Sequence, residues 1–160
     1  MKKLISIFFC LFLFNGSATA LVEVDITRGN LDPLPIAVSP LHVELGSKDV
    51  KDGDKVIKNI GEKISGVVEV NFKRSGLFNP LKKESFVQNP DIAHIKPRFE
   101  DWRLIKAQHL VSGKISTKNG KISVEFRLFD VFQQKQIVGK KYETSEKNWR
   151  RVAHIISDSI

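Results

Sequence analysis

The strongest constraint on this fold is a pair of alternating segments joined by Asn119-Gly120. Asn-Gly is the dipeptide that most readily takes the two positive φ angles of a tight β-hairpin. Behind it, Ile122, Val124, Phe126 and Leu128 alternate with Ser123, Glu125 and Arg127, so one face of a strand over 121–130 is apolar. Residues 109–117 form the strand before it. Gln133 to Lys135 make a further turn and Ile137 to Thr144 a third strand, which completes an antiparallel meander.

A helical period takes over elsewhere. Ile57, Ile60, Ile64, Val67, Val68 and Phe72 recur three and four residues apart and predict an amphipathic helix over 54–75. Asp52 or Asp54 can cap its start. Gly66 and the β-branched residues weaken its intrinsic propensity, so packing must hold it. Ser75-Gly76 closes it, with Gly76 suited to the left-handed position beyond the last turn. Phe99, Trp102 and Ile105 mark a short helix, with Glu100 and Asp101 in the first turn, where the helix dipole favours negative charge. From Asn148 a last helix buries Trp149, Val152, Ile155, Ile156 and Ile160 and reaches the final residue without a stop signal.

Ile36-Ala37-Val38, between Pro35 and Pro40, reads as a buried strand. Residues 77–81 form a brief extended piece that should dock beside the first strand, and 42–51 and 82–97 read as loops. The expected fold is α/β of the two-layer α+β kind. A small mixed sheet with an antiparallel meander packs against two main helices and one short helix.

Residues 1–20 read as a signal peptide. Lys2 and Lys3 precede the apolar run 4–14, and Ala18-Thr19-Ala20 supplies the small-residue cleavage pattern. The run is too short to span a bilayer, which takes about 20 apolar residues. Cys10 lies inside it behind Ile7-Phe8-Phe9, residues too bulky for lipoprotein processing. Cleavage after Ala20 removes this one cysteine, so the exported chain must be stabilised by its core rather than by disulfides. Residues 21–33 form an arm, in which Val22, Val24 and Ile26 alternate with Glu23, Asp25 and Thr27, and 34–160 form the domain. No stable membrane insertion is expected once the leader is gone.

Catalytic chemistry has no visible carrier. His42, His94, His109 and His154 fall in four separate segments without metal-ligand spacing, and His154 has Asp158 four residues on as a local partner. Carboxylate pairs such as Asp52 and Asp54 sit at helix starts, where capping accounts for them. No catalytic residue, metal or cofactor is expected. The chain carries 26 Lys and Arg against 18 Asp and Glu, a formal charge of +8. Its basic residues are spread out and lack interleaved aromatics, which argues against nucleic acid. One reading of the excess is a surface for an anionic ligand or anionic lipid, using Lys140, Lys141, Arg150 and Arg151.

Several stretches together resemble a known family. Residues 73–81, Lys-Arg-Ser-Gly-Leu-Phe-Asn-Pro-Leu, are similar to the helix exit of TolB proteins, the periplasmic component of the Tol–Pal system. So are Asp101-Trp102-Arg103 with the following His109-Leu110-Val111-Ser112-Gly113, and Phe126-Arg127-Leu128-Phe129-Asp130-Val131. The run 148–158, Asn-Trp-Arg-Arg-Val-Ala-His-Ile-Ile-Ser-Asp, resembles the family's Trp-Arg-Arg signature. The resemblance implies a periplasmic, non-enzymatic interaction module. It further implies that the arm, residues 21–32, engages the inner-membrane protein TolA through Val22, Val24 and Ile26. In the family a six-bladed β-propeller follows this domain and binds the Pal lipoprotein. No propeller repeat follows Asp130 here, so the expectation is a truncated last helix and a missing propeller domain. The implied role is support of outer-membrane integrity and of envelope invagination at cell division.

Overall fold

The computed structural model describes residues 32–44, 53–118 and 121–160, with the side chains of 53–58 and of Lys118 outside that description. The leader, the arm with Val22, Val24 and Ile26, Asp52 and the Asn119-Gly120 link lie outside the described residues, as does the side chain of Asp54, so the expected cap lies outside them too.

Six strands form one mixed sheet: β1 (Leu34–Val38), β2 (His42–Glu44), β3 (Phe78–Pro80), β4 (His109–Lys118), β5 (Lys121–Asp130) and β6 (Lys135–Ser145). The order across it is β3-β1-β4-β5-β6, with β2 also on β4. The β4-β5-β6 part is the expected antiparallel meander. Lys118 pairs with Lys121, so only two residues link β4 to β5. In β6, Leu128 faces Val138 but Phe129 faces Gln136, which leaves Ile137 as an extra residue and kinks the ladder.

The parallel half is where sequence and structure part. The segment from His42, expected as loop, begins with a strand, because β1 covers only the first part of β4, through Ala37↔Leu110 and Val38↔Val111. Ser39 then donates its N–H to the Val111 carbonyl at 2.9 Å, and β2 takes the remaining edge, His42 opposite Lys114. Exposed amides on a ten-residue strand need partners, and a polar triplet with one valine supplies them. The expected extended piece at 77–81 is β3, parallel to β1.

Helix α1 (Gly53–Ser75) and helix α4 (Trp149–Asp158) pack together on one face of the sheet. The α1 stripe is buried as expected at Ile60, Ile64, Val68 and Phe72, against Val152, Ala153 and Ile156 of α4 and the apolar side of β4 and β5. Gly76 closes α1 with φ of 72°. Gly61 lets the helix approach the β1–β2 link, since a Cβ there would lie 2.6 Å from the Leu41 carbonyl oxygen. One turn on, Ser65 donates its hydroxyl to the Ser39 carbonyl at 3.1 Å.

The opposite face carries a second, smaller cluster: Ala37, Ala93, Trp102, Ala107, Leu110, Phe129 and Val131. Two short helices cover it, α2 (Pro90–Ala93) and α3 (Phe99–Leu104). Helix α3 is the expected Trp102 helix. Helix α2 corrects the loop reading of 82–97, as does a single 3-10 turn over Lys83–Ser85. Pro90 does not break α2 but starts it, because the first helical position needs no N–H, and Asn89 caps it by accepting from Asp91 N–H at 2.8 Å.

Candidate functional site

Two charged surfaces stand out among the described residues. The first lies on the sheet face turned away from α1. There β2 projects His42 and Glu44, β4 projects Lys114, and β5 projects Glu125 and Arg127. Lys114 Nζ lies 2.8 Å from Glu44 Oε1, and Arg127 donates to Glu125 at 2.7 Å and to the His94 carbonyl at 3.2 Å. His42 and His94 stack with ring centroids 4.3 Å apart and planes 7° from parallel. His42 Nδ1 also sits 2.9 Å from Asp91 Oδ1. Spacing in the sequence, where the two histidines stand 52 positions apart, conceals this pair. Burial, with the neighbouring His42 second, pushes His94 below the usual imidazole value. The hydrogen bond from Lys114 holds the Glu44 carboxyl below its ordinary range. These charges pair with one another around a shallow pocket of about 230 Å³, so they tie β2 and α2 to the sheet rather than offering free ligands. Among the described residues no group of three or more His, Cys, Asp or Glu is arranged to hold a metal ion.

The second surface is a groove of about 470 Å³ between α1 and α4. Gly66, Val67, Val70 and Trp149 give it an apolar floor, and Lys63, Arg74, Arg150 and His154 stand around it. The Arg150 guanidinium lies over the Trp149 ring, 4.8 Å from its centroid. Asn71 bridges the helices, with its Nδ2 3.0 Å from both His154 Nδ1 and Ser157 Oγ. His154 therefore finds its partner across the helix pair rather than in Asp158. Lys63, Val67, Val70 and Arg74 recur at helical spacing, and that second stripe was a usable signal in the sequence.

The four basic residues expected to share a patch are placed apart. Lys140 stands opposite Phe126, on the helix side of the sheet, and its Nζ reaches Ser159 Oγ at 3.3 Å. Lys141 stands opposite Glu125, on the other face. Strand alternation separates the two side chains. Arg150 belongs to the groove, and Arg151 is exposed on α4.

Fold and surface define a small mixed α/β domain with charged and grooved faces. The amino-terminal domain model of TolB matches residues 22–137, and this chain belongs to that family, the TolB amino-terminal domain of the Tol–Pal system. The Tol–Pal system protein TolB of Pelagibacter ubique (strain HTCC1062) is 54% identical over 145 residues, 89% of this chain. The chain spans about a third, 32%, of that relative's length. The crystal structure of TolB from Acinetobacter baumannii superposes with a TM-score of 0.57 at 22% identity, over 79% of this chain and 27% of that one. Lipoprotein GNA1162 from Neisseria meningitidis shares the fold at a TM-score of 0.54 and 14% identity, over 79% of this chain and 96% of its own. No helix among the described residues is long and apolar enough to cross a membrane.

Proposed function

We propose that this chain acts in the periplasm as a non-catalytic interaction module. It engages a TolA-like inner-membrane protein through residues 21–32 and so supports outer-membrane integrity and invagination during division. The observation that carries this reading is the alternation of Val22, Val24 and Ile26 with Glu23 and Asp25, at the start of a family match that begins at residue 22. An alternating segment can add as a strand to a partner's sheet edge, its backbone giving affinity and every second side chain giving specificity. Binding of Pal belongs, on this reading, to the propeller of the family rather than to residues of this chain.

Isothermal titration with purified TolA tests the reading. The parent chain binds, and a chain lacking 21–32 loses binding while its thermal midpoint is unchanged. Equal affinity of the two chains for TolA would sink the arm assignment. An anionic-ligand role for Lys140, Lys141, Arg150 and Arg151 has less support, because Lys140 and Lys141 face opposite sides of the sheet.

A further inference from the structure

We propose that the groove between α1 and α4 is a docking site for an acidic segment of a partner protein, one that seats an apolar side chain over Gly66 between flanking carboxylates. This goes beyond the arm and does not depend on it. Three observations on the groove converge. The residues lining it include two arginines, a lysine and a histidine and no acidic group, so its field selects an anionic occupant. Its floor is apolar and open, with Val70 56% exposed in the C-terminal third of a 23-residue helix. Gly66 is the third. A glycine inside a helix is disfavoured relative to alanine, and a Cβ built at Gly66 meets nothing within 4 Å. Folding therefore gives no steric reason for a glycine there, whereas an inserted side chain does.

The groove is preorganised. Asn71 locks the two helices through His154 and Ser157, and the Arg150 guanidinium rests over the Trp149 ring at the rim. An apolar strip between two helices, flanked by cations, suits a protein segment better than a membrane, whose headgroups need cations on an outward-facing surface.

The test is selection of short random peptides displayed against the full chain, followed by amide and indole chemical-shift mapping with the recovered peptides. Binders are expected to be rich in Asp and Glu around a Leu, Ile or Phe, and to shift Gly66, Val70, Arg74 and the Trp149 indole. The double variant Arg74→Glu/Arg150→Glu should weaken them by about tenfold or more, since it turns two attractions into repulsions. Gly66→Leu should abolish binding with no fall in thermal midpoint, because its side chain enters open space. The proposal is overturned if no acidic binder is recovered, if shifts map elsewhere, or if the two variants bind as the parent does. It is also overturned if phosphatidylglycerol vesicles shift these resonances and peptides do not, which makes the groove a lipid patch. Peptide binding that appears only when 21–32 are deleted overturns it as well, making the chain's own arm the occupant.

Discussion

Gln88 lies in a stretch that reads as polar loop, yet it is only 2% exposed. Its Oε1 accepts from the Arg98 N–H at 2.9 Å and the Trp102 indole N–H at 3.0 Å, and its Nε2 donates to the Lys96 carbonyl at 2.9 Å. Trp102 was legible as a core residue from helical spacing. The amide that makes its burial tolerable was not, because a buried indole needs an acceptor from anywhere in space. Gln88→Leu keeps the volume but strands three polar groups, so it should cost at least about 1–3 kcal/mol. Chemical denaturation measures this, and a loss below about 0.5 kcal/mol would mean that water takes over the bonds. Ile64, 1% exposed at the centre of the α1 stripe, is the apolar counterpart. Ile64→Ala should cost about 2–5 kcal/mol by the same measurement, and a cost under about 0.5 would mark the position as poorly packed.

Among the elements, β2 is the least self-evident and the most conditional. Three residues cannot hold themselves to a sheet. Val43 rests on the main core, Glu44 pairs with Lys114, and the His42 ring stacks on His94 beyond α2. Burial of His94, with His42 beside it, gives the element a pH dependence. His94, 7% exposed, faces His42, Glu44, Lys114, Asp91 and, through its carbonyl, Arg127. Its folded pKa lies below the ordinary 6.5, so the unfolded chain binds the proton more readily. Stability is then unaffected by this group above that value and falls as pH drops below it toward the folded pKa. Thermal midpoints taken from about pH 7 down to about pH 5 should decline less steeply in His94→Gln than in the parent. Parallel slopes would show that other groups carry the acid sensitivity. Helices α1 and α4, by contrast, were legible to within two residues at most ends, since each has a stripe that only one face can bury. Helix α2 was hidden because Pro90 reads as a breaker unless it falls at the first helical position.

At the scale of the whole molecule, both apolar clusters, among the described residues, draw on the span from Ile36 to Ile160. We expect residues 34–160 to fold alone, with one cooperative transition whose midpoint matches that of the full chain. Calorimetry on the two chains decides it, and a lower or split transition in 34–160 would place part of the folding unit before residue 34. What the sequence determined by itself is local. The hairpin, the meander, the two amphipathic helices and the Trp102 helix follow from periods of two and of three to four, which act over a few residues. The tertiary structure alone decided that β1 and β2 share one edge of β4, that His42 meets His94, and that Lys63, Arg74 and Arg150 ring a common groove. Each of these joins residues distant in the chain. They are fixed by which sheet edge still lacks partners and by how closely two helices can approach, quantities that no window of sequence contains.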